Sequence, residues 1–329
     1  MTLLPVAPRP APRSAEDRTP AETRTPAGTV PENVAPEDVA PLAFHRLAHA
    51  DPRRRWWRPL LVLLLATVSY AVLGIGVLVV LLVLDLVAGT SWSVRAVAES
   101  LTDPVTFGFG FVVIALMMPA LLLALRLAGP RPVGLVFSVA GGVRWRWLGS
   151  ALWRAAAIHA VAFALLLLVV DPATGAPVAL SARPGVIAFL VLAVLVVPFQ
   201  AAAEELVFRG FAMQAVGTWL RHPAFAVLLP VPFFVVGHPY DVWGQLEVGA
   251  FAVVAGWLAW RTGGLEASVA LHVVNNVLLA VLAAFGLADL DATQGSPLSL
   301  VTSTVTTLVT AVWLLRVFRA AGHDRAVRA

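Results

Sequence analysis

Three stretches of the sequence set groups capable of proton transfer inside apolar surroundings. Ala203-Glu204-Glu205-Leu206-Val207-Phe208-Arg209 carries two adjacent carboxylates and an arginine, Phe234-Val235-Val236-Gly237-His238 one imidazole, and His272-Val273-Val274-Asn275-Asn276 an imidazole with amides. On a helix Glu205 and Arg209 are i,i+4 neighbours able to form an ion pair, whereas Glu204 points ~100° away and is left free to react. Phe234 and His238 share one face, as do His272 and Asn276. A carboxylate without a partner, two histidines and an amide are the ingredients for activating a water and for stabilising an oxyanion. Taken singly, each has a plainer account. A lone histidine in a helix bundle more often packs or hydrogen-bonds, which is the reading given to His159 and His222, and an isolated Glu205–Arg209 pair is structural glue.

The elements that must position these groups are transmembrane helices. Of 329 residues, 59% are hydrophobic and 13% charged, and the mean hydropathy is +0.85, far from a soluble globular domain. Apolar runs of the roughly 20 residues needed to cross a ~30 Å hydrocarbon core recur along the chain. They lie at 60–87, 106–128, 148–170, 186–208, 223–238, 246–260, 265–286 and 298–318, which predicts an all-α polytopic bundle of about eight helices. Arginine placement supports that number. Arg126, Arg131, Arg144, Arg146, Arg154, Arg221, Arg261, Arg316, Arg319, Arg325 and Arg328 fall on one side, and only Arg95 and Arg183 on the other. This places both termini in the cytoplasm and locates the protein in the cell membrane as a multi-pass chain. The basic pI of 10.8 is thereby explained without a nucleic-acid partner.

Four regions are expected. Residues 1–50, rich in Pro, Ala, Thr and Glu, form a disordered cytoplasmic tail; 51–144 hold the N-terminal transmembrane helices; 145–320 form the core; 321–329 are a C-terminal cytoplasmic tail. The tail lacks a signal-peptide pattern, so the first helix, entered through Arg53-Arg54-Arg55-Trp56-Trp57-Arg58, is expected to remain as an anchor. Asp85, Asp171, Asp289 and Asp291 read as solvated flanks, and residues 129–147 as a stretch lying along the cytoplasmic interface. The absence of cysteine excludes disulfides, thiolate metal sites and cysteine nucleophiles.

In order and context the three motifs resemble those of the CAAX-protease and bacteriocin-processing (CPBP, or Abi) membrane peptidases, which include the type II CAAX prenyl endopeptidases. The family pattern EExxxR, FxxxH and HxxxN is met by Glu204-Glu205 with Arg209, Phe234 with His238, and His272 with Asn276, within residues 145–320. The resemblance implies an intramembrane endopeptidase whose active site opens to the cytosolic half of the bilayer. Glu204 and His238 would activate water, His272 and Asn276 would stabilise the oxyanion, and Glu205, Arg209 and Phe234 would support the site. Ligand chemistry favours a site without a cofactor, and the resemblance implies as partners the lipid bilayer and a peptide or membrane-protein substrate, including lipidated or leader-bearing ones. One alternative is a zinc metallopeptidase with Zn²⁺ on His238 and His272, although no HExxH helix is present and Asn276 is a poor zinc ligand. Another is a non-catalytic binding or scaffold protein. Neither a buried serine–histidine pair nor two facing aspartates is visible. Counted from the cytoplasmic helix ends, His238 comes out deeper than His272, so a shared site requires broken or staggered helices, for which Pro198, Pro230 and Pro232 offer places.

Overall fold

The computed structural model describes residues 41–98, 100–170, 180–182 and 185–327. Seven helices are long and apolar enough to cross a membrane: α1 (Arg58–Ala88), α2 (Pro104–Ala128), α3 (Trp145–Val169), α4 (Val186–Trp219), α6 (Val242–Thr262), α7 (Glu266–Ala284) and α8 (Pro297–Ala320). Between α4 and α6 lies a shorter apolar helical stretch, α5 (Pro223–Val236). It consists of two helices of 6 residues, Pro223–Leu228 and Val231–Val236, because Pro230 and Pro232 have no backbone N–H to continue the ladder. The protein is thus an all-α multi-pass membrane protein, with seven spanning-length helices and one short, broken apolar stretch among the described residues. Several helices start where proline occupies the first turn behind a polar cap. Asp103 accepts from the Val105 amide at 2.7 Å ahead of α2, and Ser296 and Ser299 form a reciprocal capping box at the start of α8.

Hydrogen bonds between loops define the two ends of the bundle. At the first end, strand β1 (Leu42–Ala43) pairs antiparallel with strand β2 (Ala326–Val327). The following 3-10 helix, Phe44–Ala50, turns its basic side chains onto the last carbonyls of α4. His45 donates to Arg221 O (3.0 Å), and Arg46 (2.5 Å) and His49 (3.3 Å) donate to Gly217 O. Gly217 is required there, since a Cβ would sit 1.7 Å from the His45 carbonyl oxygen. At the opposite end, Ser100 and the Leu101 amide donate to Asp291, Ser181 N donates to Phe285 O, and Asp241 N to Thr293 O.

Several expectations are corrected. The tail was placed at residues 1–50, yet Phe44 and Leu47 are fully buried, so residues 42–50 belong to the folded body; residues 1–40 lie outside the described residues, as do Asp171 and Arg183. Within 321–329, Ala326 and Val327 are likewise paired rather than trailing. The 129–147 stretch does not lie flat on an interface. Its 3-10 turn Val133–Val136 and the residues after it fold into the bundle, burying Val136, Ser138 and Val139 and bridging Ser138 to Gly264. The apolar run 186–208 continues as helix to Trp219, since the polar groups beyond it find internal partners. Asp85 is no idle flank: its carboxylate accepts from Thr90, Ser93 and the Trp92 and Ser93 amides, shaping the turn after α1. Asp291 similarly joins two loops. His159 donates to Ala155 O and His222 accepts from the Ala224 amide, both local structural bonds.

Candidate active site

The predicted site residues lie on α4, on α5 and just beyond its end, and on α7, around an irregular stretch of α4. The helix is α over Val186–Leu195 and Val197–Glu205, with a turn at Val196 ahead of Pro198, π-helical over Leu206–Ala212, and α again from Met213. A π segment widens the turn and turns side chains away from regular α register, and such segments concentrate at functional sites. Here Glu205 and Arg209 form an ion pair of 3.0 Å with side chains 0% and 3% exposed. The guanidinium carbon stands 4.2 Å from the Phe234 ring centroid and 5.7 Å from that of Phe251. Two aromatic faces thus help hold a charge that has lost its water.

His272 lies between the two glutamates. Its Nδ1 is 2.8 Å from Glu205 Oε1, the oxygen that also accepts from Arg209, and its Nε2 is 3.5 Å from Glu204 Oε2. A carboxylate can only accept, so Nδ1 carries a proton. Glu204 Oε2 is buried and has no hydrogen-bond partner among the described residues. His238 is oriented in a similar way: its Nδ1 is 2.8 Å from Phe234 O, a carbonyl that can only accept. With Nδ1 donating, Nε2 is the ring nitrogen left to accept. Phe234 packs against both imidazoles, with ring centroids 4.8 Å from His238 and 6.2 Å from His272. Asn276 donates to Gln200 Oε1 (3.1 Å) and accepts from Asn275 Nδ2 (3.1 Å).

Glu204, His238, His272 and Asn276 all line one cavity of about 520 Å³. Glu205 and Arg209 lie behind its wall, with Phe234 forming part of that wall. His238 and His272 meet the same cavity and both pack against Phe234. The turn before α7 is sunk under the 137–144 segment, which holds it by Leu265 N to Phe137 O (2.9 Å) and by Arg144 to Glu266 (2.6 Å), with Glu266 2% exposed. His272 follows less than two turns along α7.

Sequence reasoning missed Gln200, Tyr240, Glu247, Asn275 and Phe251, all of which line the cavity. Gln200 carried a signal, being one turn before Glu204 on the same face of an apolar helix. The zinc alternative would draw on His238 and His272, which line the same cavity as Glu204. Among the described residues no three His, Cys, Asp or Glu side chains group as metal ligands, and His272 has both ring nitrogens turned to Glu205 and Glu204.

Comparison with known proteins agrees with the motifs. The family described as type II CAAX prenyl endopeptidase Rce1-like matches residues 183–278. A protein of Bacillus subtilis (strain 168) named "Uncharacterized protein YyaK" is 30% identical over 189 residues, 55% of this chain and 62% of that protein. The chain therefore spans less than two thirds of this relative's length. No solved structure matches. The matched segment carries Glu204, His238 and His272, so the stretch in which the three motifs lie is similar to the Rce1-like, CAAX-protease family.

Proposed function

We propose that the protein is an intramembrane endopeptidase, held in the cell membrane with both termini cytoplasmic, that hydrolyses peptide bonds without a metal. Water in the cavity gives a proton to Glu204, aided by the free Nε2 of His238, and its oxygen attacks the scissile carbonyl carbon. The oxyanion that forms accepts from the Asn276 amide and from His272 Nε2 when that ring carries both protons, its charge balanced by Glu205. Collapse breaks the C–N bond, and the proton held by Glu204 and His238 passes to the leaving amine. The supporting observation is the buried Glu204 oxygen without a hydrogen bond, on a cavity it shares with His238 and Asn276. Substrates are peptides or membrane-protein segments, lipidated ones included.

The test is cleavage of a peptide library by the detergent-purified chain, wild type against Glu204→Gln, with and without a strong chelator and matched for folding. Activity that survives chelation and vanishes in the variant supports the proposal. Activity lost to chelator and restored by zinc, or retained by the variant, overturns it.

A further inference from the structure

The cavity is open at one end of the bundle and sealed at the other. Its mouth is ringed by loop residues of the second end, among them Leu101, Tyr240, Asp289, Ala292, Gln294 and Gly295. Asp289, Ala292 and Gln294 are exposed there. From this rim the cavity runs down α7 past Leu279, Asn276 and Asn275 to His272, 12 residues before Ala284 and therefore about 18 Å below the end of the helix at ~1.5 Å per residue. Beyond His272 toward the first end the packing is closed: Glu205 is 0%, Leu206 1%, Arg209 3%, Met213 1% and Ser268 0% exposed. Beneath these lies the buried 136–139 strip, close enough to α4 that a Cβ on Gly210 would stand 3.0 Å from Val136 O.

The arginines divide in the opposite sense. Arg46, Arg53, Arg54, Arg55, Arg131, Arg221 and Arg325 cluster at the sealed end, joined through the hydrogen bonds that define that end. Among the described residues the open end has Arg95 alone, and Asp103 neutralises it at 2.8 Å. Loops rich in arginine stay on the cytoplasmic side of a membrane.

We infer that the cavity takes its substrate from the non-cytoplasmic side, so that the substrate is a polypeptide segment displayed on that face and not a chain end delivered from the cytosol. This is the reverse of the access that family resemblance implies. It rests on the proposed function for the word substrate, but the direction of access is measured without any cleavage.

The chain has no cysteine, so single cysteines report cleanly. Ala292→Cys marks the rim, Ser303→Cys the cavity wall and Ala321→Cys the sealed end. Intact cells expressing each full-length variant are treated with a small, charged, membrane-impermeant methanethiosulfonate, before or after lysis. The expected result is modification at 292 and 303 in intact cells and at 321 only after lysis. Modification at 321 but not 292 in intact cells overturns the inference, as does a residue 303 that reacts only after lysis or not at all. Loss of cleavage plays no part in this readout. Failure of the peptidase reading therefore shows in Glu204→Gln, and failure of this inference in the labelling pattern.

Discussion

Replacing Glu205 by glutamine is the perturbation whose outcome the structure defines most tightly. The substitution keeps an oxygen for His272 Nδ1 but removes the carboxylate that, among the described residues, pairs with Arg209, leaving a guanidinium 3% exposed with its Nη2 already lacking a partner. Breaking a buried pair by deleting one member costs about 3–5 kcal/mol, because the remaining charge has neither water nor counter-ion. The Phe234 and Phe251 faces remain, and a desolvated cation–π contact is worth about 2 kcal/mol, so the lower half of that range is expected. At 1.4 kcal/mol per decade, about 3 kcal/mol is a loss of roughly two decades in the folding equilibrium. Removing the charge as well, in Glu205→Gln with Arg209→Met, should recover most of the loss, because an apolar chain of similar length fills the space between the rings. The assay is reversible denaturant unfolding in detergent, followed by tryptophan fluorescence, for wild type, both single variants and the double. A single-variant cost under about 1 kcal/mol, or a double variant as unstable as the sum of the singles, would refute the description of this pair as a buried, mutually dependent unit.

Three further outcomes follow from particular contacts. Asn276→Ala should lower kcat about 10²-fold with little change in KM, the magnitude of one lost oxyanion donor, and equal losses in kcat and stability would instead assign Asn276 a packing role through Gln200. Asp51 is almost fully buried. Burial alone would raise its pKa above the ordinary 3.8, but the Arg53 and Arg131 amides and the Arg53 guanidinium hold it below that value. A carboxylate depressed on folding contributes stability above its unfolded pKa and loses it as pH falls through the folded one. The stability gap between wild type and Asp51→Asn, followed by thermal unfolding from neutral to acid pH, should therefore shrink below about pH 4. Gly217→Ala should force the 3-10 helix off α4, since the new Cβ would overlap the His45 carbonyl; faster protease cleavage at Arg53–Arg55 than in wild type reads this out.

Much of the fold was legible because lipid imposes length and polarity on every pass, and the Glu205–Arg209 pair because i,i+4 spacing is local. What escaped the sequence depended on long-range contacts. The sunken turn before α7 exists because Arg144 and Glu266, 122 positions apart, meet under the 137–144 segment, and no periodicity announces such a meeting. The same cause hid the fold of residues 42–50, whose few apolar groups, Leu42, Phe44 and Leu47, suffice only because a helix end and a C-terminal strand await them. Gln200 was passed over as one polar residue in a run otherwise read for its hydropathy.

The π segment at Leu206–Ala212 lets one helix keep two appointments. Upstream of it, Gln200 and Glu204 look into the cavity; downstream, Gln214 turns to the Leu135 carbonyl at 2.8 Å. In an uninterrupted α-helix the two faces would be locked in phase, and each residue inserted or removed would swing one set ~100° against the other. The extra residue in the wide turn sets that phase. The reacting face can thus be aimed independently of the face that anchors the helix, and the helix behaves as a shaft with a fixed coupling between two separately keyed halves.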